Sequence, residues 1–310
     1  MSSSPKIVFQ PGSFWYRCIP EKITLHPQSK QLVDEFLRQK AATKNCVVGI
    51  NTTAYTSPVY VADKTTPRIP VGVVRCQPFT DEQYRQLAVQ FSAVPIPPFA
   101  NPACGTDSEM TIYEPETKTL WEFWQAQRLE GGWQACWGGR MERTSLSTGI
   151  WPYPFGAAAT GLPFVGGQIT LEEFHAGEIA HVIGMAVPCA DQRFCFPANR
   201  SDGKGCPGSV CIMEGMRLRL SPDVKVDTLA IHPAAKTIAR AAQRYGFVIW
   251  DLAGAISLRA RNSMSYTDGK PTPDVYAAVF AKKDQYTVLD GFPWDRLEFL
   301  PEKYGSDDFE

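Results

Sequence analysis

The stretch Thr106–Arg140, TDSEMTIYEPETKTLWEFWQAQRLEGGWQACWGGR, decides the fold class. Ser108, Met110 and Ile112 alternate with Asp107, Glu109, Thr111 and Tyr113, a period of two that sends successive side chains to opposite faces of a strand. EPETKT has the composition of a turn, so Leu120 to Arg128 forms the next strand, and LEGG turns the chain again into Trp133 to Trp137. Three short strands in succession predict a meander.

Working outward, 25 prolines and 24 glycines are spread along the 310 residues and punctuate short segments, as all-β architectures require. VPIPPFANPACG (Val94 to Gly105) is a loop, because its four prolines remove the donors of a central strand. HPQSKQLVDEFLRQK places Leu32, Val33, Phe36 and Leu37 on one helical face, and HPAAKTIARAAQRYG begins a second helix at Pro233 and stops it at Gly246. Ile238, Ala241, Ala242 and Tyr245 would face inward on that helix.

In TLEEFHAGEIAHVIGMAVP (Thr170 to Pro188), Thr170 and Glu173 form a capping box, and Gly177 closes the helical turn Leu171 to Ala176. Glu172 and His175 are then solvated. Ile179 to Val187 follows as a buried strand, with His181 on the face of Ile183, Met185 and Val187, and Phe247 to Asp251 is another strand. Many short strands with two or three covering helices predict a mainly β, jelly-roll-like two-sheet sandwich. It would form one domain over residues 1–310, with an N-terminal arm at 1–20 and a C-terminal tail at 285–310 available for partner contacts.

A formal charge of −1 argues against nucleic acid as a partner, since phosphate binding draws on clustered Lys and Arg. No apolar run reaches the roughly 18–20 residues that span a bilayer, so membrane insertion is not expected. The start MSSSPKIVFQPGSFWY lacks the basic head and apolar centre of a signal peptide, which predicts a product outside the general secretory route. Nine cysteines, with close pairs at Cys189/Cys195 and Cys206/Cys211, instead suggest an oxidising destination and disulfides. Their spacing is too wide for a zinc site, so no metal is expected. The nucleotide-binding, serine-elbow and zinc-protease motifs are missing, and no cofactor is expected. A virion protein released by lysis satisfies both the missing signal and the cysteines.

The segments GSFWYRCIPEKITLHPQS, TDSEMTIYEP, WEFWQAQ, CWGGR, GLPFVGGQITLEEFHAGEIAH and IARAAQRYGFVIWD occur in an order that resembles a family of secreted bacterial proteins. The family is actinobacterial in type, mostly without assigned function, and has related segments in phage minor tail proteins. The resemblance covers Gly12 to about Asp251. It implies an extracellular or tail-associated β-sandwich that acts on or holds cell-surface glycan. The missing secretion signal favours the phage-like branch. Glu109 stands where the family commonly has His in D-x-H-M, which removes any His base from that position.

The candidate chemistry follows from the strands. Asp107 and Glu109 project from one strand, and Glu122 with Trp124 from its neighbour. Carboxylates on adjacent strands fall within the roughly 5–10 Å over which an acid and a nucleophile or base act in glycoside hydrolysis. Such pairs are also common as plain solvated charges. Trp124, among Trp121, Trp133 and Trp137, offers a flat apolar face to a sugar, although alternation lets only half of these rings share a side. Arg140 would neutralise a uronic acid in lyase chemistry, or pair with Glu122. His181 would be the lyase base, or a satisfied core histidine. Asp251, ending an apolar strand, needs a basic partner such as His181 or Arg140.

The expectation is a tail-associated or extracellular protein that engages host cell-surface polysaccharide, as a glycoside hydrolase or polysaccharide lyase. Asp107, Glu109, Glu122 and His181 would be catalytic, and Trp124, Arg140 and Asp251 would bind substrate. The alternative is a non-catalytic structural or adhesion subunit that contacts other virion subunits.

Overall fold

In the computed structural model, which describes residues 9–306, the period-two stretch forms sheet but does not stay in one sheet. Met110–Glu114 and Thr119–Trp124 make an antiparallel hairpin, and Trp137–Met141 pairs with the far side of Thr119–Trp124. Val59–Val61 runs parallel to Met110–Glu114 and completes a four-stranded sheet. The strand expected over Leu120 to Arg128 breaks at Gln125, whose φ is 52°. Beyond it, Gln127–Leu129 pairs with Gly132–Ala135, which joins Val71–Val73 in a separate three-stranded sheet. A left-handed residue cannot continue a strand, so the chain turns a corner there.

The largest sheet has six strands, in the order Gly49–Asn51, Ser257–Arg259, Ile183–Val187, Phe247–Leu252, Arg217–Leu220 and Leu297–Phe299. Gly49–Asn51 is parallel to Ser257–Arg259, and Ile183–Val187 to Phe247–Leu252. The chain is thus β-rich, with 15 strands and five α-helices among the described residues. Its connectivity departs from the jelly-roll expectation, since a jelly roll pairs its strands antiparallel. The physical reason lies in Ile183–Val187, buried at every position as parallel strands covered on both faces are.

Those two faces define the layers. Ile183, Met185, Phe247 and Ile249 pack under the helices Ser29–Ala42 and Pro233–Arg244. Ala186, Val248 and Trp250 face the other way, into a core shared with Val59, Leu120 and Met141 of the four-stranded sheet. The outer face of that sheet, with Tyr60, Ile112 and Phe123, lies against Tyr84 and Leu87 of helix Asp81–Gln90. Burying each such large apolar side chain contributes about 1.5–3 kcal/mol.

Local signals place the helix ends. Pro233 opens its helix, and Ile238, Ala241, Ala242 and Tyr245 are buried. Gly246 then takes a φ of 76°, and a Cβ there would lie 2.5 Å from the Leu218 carbonyl oxygen. The Thr170 hydroxyl accepts from the Glu173 amide at 3.2 Å while the Glu173 carboxylate accepts from the Thr170 amide at 2.9 Å. Gly177 closes that turn in left-handed geometry, and Glu172 and His175 are exposed as expected.

The expected arm and tail are mostly body. Trp15 is fully buried between the sheets, Leu297–Phe299 is an edge strand of the main sheet, and Leu300 and Tyr304 pack on Ile19. The outermost parts of both, residues 1–8 and 307–310, lie outside the described residues.

Two disulfides form, Cys206–Cys211 and Cys76–Cys136, the latter between residues 60 apart. They are compatible with a protein that works outside the cell. Cys189 and Cys195 do not bond to each other: Cys195 is buried under the main sheet, and the Cys189 thiol donates to the Gly205 carbonyl at 3.1 Å. Among the described residues no helix is long and apolar enough to cross a membrane.

Candidate functional site

One end of each large sheet meets at a cavity of about 380 Å3. Trp124 ends one strand of the four-stranded sheet and Trp137 begins its partner; the two are in register, and both line the cavity. Phe79 stacks on Trp137 with ring centroids 3.8 Å apart. Asp107 and Glu109 enter just before Met110–Glu114, where Ser108 takes a φ of 41° and the strand alternation has not yet begun.

Asp251 comes from the main sheet by way of a bulge. Met185 pairs with Ile249 but Ala186 pairs with Asp251, so Trp250 is the extra residue on its strand. Bulges re-aim side chains next to functional sites. Here Trp250 stays in the core between the sheets while Asp251 reaches the cavity.

Arg259 joins the two sources. Its guanidinium lies 2.6 Å from the Glu109 carboxylate and 2.6 Å from that of Asp251, over the rings of Phe164 and Trp250. Two contacts from one guanidinium hold the carboxylate oxygens no more than about 8 Å apart, within the span that paired carboxylates use in glycoside hydrolysis. Burial pushes the Glu109 carboxyl up to about 7 although Arg259 pulls it down, and burial likewise outweighs Arg259 at Asp251, raised to about 6. Glu109 is 1% exposed, and its second oxygen, Oε2, is buried without a hydrogen-bond partner. A carboxyl raised to about 7 with an unspent oxygen is suited to carry a proton near neutral pH.

The opposite wall is held by Arg200, which donates to the carbonyls of Pro154, Phe155, Gly156 and Ala158. That clamp fixes the loop carrying Tyr153 and Ala157–Ala159, all at the cavity. Asp202 lines the same wall, and its amide donates to Glu214, which burial and then Asp202 push up to about 8.

Of the residues singled out in the sequence, Asp107, Glu109, Trp124 and Asp251 therefore converge on one cavity. Glu122, Arg140 and His181 do not. Glu122 is fully buried between the sheets, accepting from the Trp151 indole at 3.1 Å and the Phe164 amide at 2.7 Å. Arg140 does not pair with Glu122, because Gly139 stands opposite Glu122 and Arg140 opposite Trp121, which puts the two side chains on different faces. It pairs with Glu142 at 3.0 Å. His181 precedes the strand, which begins at Ile183, and its ring lies 3.2 Å from Glu173 and 2.7 Å from the Val182 carbonyl oxygen. Burial opposes its charged form, but Glu173 outweighs that and raises its pKa. The partner of Asp251 is Arg259, not His181 or Arg140.

Arg259, Arg200, Asp202, Tyr153 and Phe79 were not foreseen. Arg259 carried a signal, a charge within the apolar strand run around SLRAR; the loop residues carried none. Among the described residues no group of three or more His, Cys, Asp or Glu is arranged to hold a metal ion. In comparisons with known proteins, no family model, no curated protein and no solved structure matches the chain.

Proposed function

We propose that the protein engages a neutral polysaccharide of a bacterial cell surface in this cavity and hydrolyses it, working outside the cell or on a phage tail. The observation that carries the proposal is the Glu109–Arg259–Asp251 bridge at an aromatic-walled cavity, with Glu109 Oε2 unpartnered. Glu109, protonated in part near neutral pH, gives its proton to the glycosidic oxygen as the bond from C1 to that oxygen breaks. Asp251, ionised beside Arg259, takes a proton from the water that attacks C1. One water is thereby added across the bond. Trp124 and Tyr153 offer faces for the sugar rings, and Asp107 is an acceptor for their hydroxyls.

A neutral substrate fits the electrostatics. Asp107, Glu109, Asp202 and Asp251 reach the cavity, while the two nearby guanidiniums are committed, Arg259 to carboxylates and Arg200 to carbonyls. Among the described residues lining the cavity, none is a free cation that could neutralise a uronate. The lyase route also loses support because His181 and Arg140 lie elsewhere. The two disulfides are compatible with an extracellular setting.

A second reading rests on the near-complete burial of Glu109 and the capture of both carboxylates by Arg259, which favour a virion adhesion subunit that holds glycan without cutting it. The test is release of reducing ends from purified bacterial envelope polysaccharide, for wild type beside Glu109→Gln and Asp251→Asn. Hydrolysis predicts release by wild type and near-silence from both variants, with binding retained. Silence from wild type with glycan still bound moves the assignment to adhesion; silence without binding ends both.

A further inference from the structure

A second cavity, of about 710 Å3, adjoins the first at Asp107 and Leu252, which line both. Arg259 lines this second cavity, while its partners Glu109 and Asp251 line the first. The carboxylate pair therefore stands at the junction of two spaces rather than at the bottom of one.

The second cavity has features of a built site. Tyr55 and Tyr286 line it and are 43% and 46% exposed, which leaves a ring face of each open to the space. Each ring rests on a glycine: a Cβ at Gly105 would come within 2.8 Å of the Tyr55 ring, and one at Gly49 within 2.7 Å of the Tyr286 ring. Tyr55 itself holds a φ of 55°, a left-handed conformation that costs a non-glycine residue free energy and is found where surrounding structure enforces it. Ser257 lines the same space, is 6% exposed, and its Oγ is buried without a hydrogen-bond partner. An unsatisfied hydroxyl in a space also lined by two tyrosine rings suits a ligand that is at once ring-shaped and rich in hydroxyls.

We propose that the two cavities form one cleft that takes the interior of a neutral polysaccharide chain, with the Arg259 carboxylate pair at the point of cleavage and Tyr55 and Tyr286 as sugar platforms beyond it. This rests on the reading of the first cavity as the glycan site. A chain end would fill one cavity, whereas a site with platforms on both sides of the reacting groups binds and cuts internally. Both tyrosines are exposed, so replacing them leaves the core intact.

The experiment uses neutral envelope polysaccharide and its fragments, from disaccharides to long oligosaccharides, with binding followed by calorimetry and product size by gel filtration. Wild type is expected to bind long fragments about tenfold more tightly than disaccharides. Tyr55→Ala combined with Tyr286→Ala removes that gain and leaves disaccharide binding unchanged, and Tyr286→Phe, which keeps the ring, retains it. Polymer size is expected to collapse while few reducing ends have appeared. Affinity that does not depend on length, equal weakening of short and long fragments, or release of mono- and disaccharides from the outset overturns the inference. If it fails alone, disaccharides still bind wild type and lose affinity with Trp124→Ala. If wild type binds no fragment at all, the reading of the first cavity falls as well.

Discussion

Glu109 and Glu122 are both buried glutamates of the four-stranded sheet region with carboxyls pushed up, to about 7 and about 8, and by the same leading cause. They differ in what their oxygens face. Both Glu122 oxygens are engaged by donors of the core, the Trp151 indole and the Phe164 amide. Glu109 spends one oxygen on Arg259 and leaves the other unpartnered, at a cavity. A raised pKa thus marks burial at both positions and a candidate site at only one. What separates the two glutamates is unspent hydrogen-bonding capacity on a residue that lines a cavity.

The comparison breaks most visibly in turnover. Glu109→Gln is expected to lower kcat by about 10²–10⁴-fold in protein that remains folded, as loss of a general acid does. Glu122→Gln is expected to leave kcat within a few-fold of wild type; a comparable collapse there, with the fold intact, would reverse the two roles. Stability gives the next largest effect. Glu122→Ala strands an indole N–H and an amide N–H in the core, and denaturant titration should show a loss of about 3 kcal/mol.

A pH series sharpens the contrast. The Glu122 carboxyl is raised from its ordinary 4.5 to about 8, so between those values the folded chain holds a proton that the unfolded chain has released. Its contribution to stability is complete below about 4.5 and is lost as pH rises through about 8. Wild type should therefore lose up to about 1.4 kcal/mol per pH unit in that window relative to Glu122→Gln, measured by denaturation across pH. An equal slope for the two proteins would mean that Glu122 is ionised in the fold. The smallest effect belongs to the cavity wall: Trp124→Phe keeps the aromatic face but removes the indole donor 3.4 Å from Asp107, and KM should rise about threefold with kcat unchanged.

How much of this was legible depended on sequence distance. The capping box at Thr170 and Glu173 and the helix from Pro233 to Gly246 are written within a few residues, and they were read correctly. Sheet pairing is not local. Ile183–Val187 meets Phe247–Leu252 across some sixty residues, and only the continuous burial of the first strand hinted at a parallel neighbour. At the site, Asp107, Glu109 and Asp251 stood out as charges beside apolar strands, but Arg259 lies 150 residues from Glu109, and nothing in the spacing joins them. An Arg140–Glu122 pair needs the two residues on one face, but Gly139 stands opposite Glu122, and in a sheet one residue is the difference between two faces.

The Arg200 clamp has a consequence for recognition. One side chain answers four carbonyls of a loop without regular secondary structure, and the Trp137 indole and the Gly161 amide donate to two of the same acceptors, Pro154 and Ala158. The wall that carries Tyr153 is therefore ordered before anything binds. A ligand meeting it would lose its own freedom but would not also have to freeze the loop, so selectivity would come from fit to a shape already set.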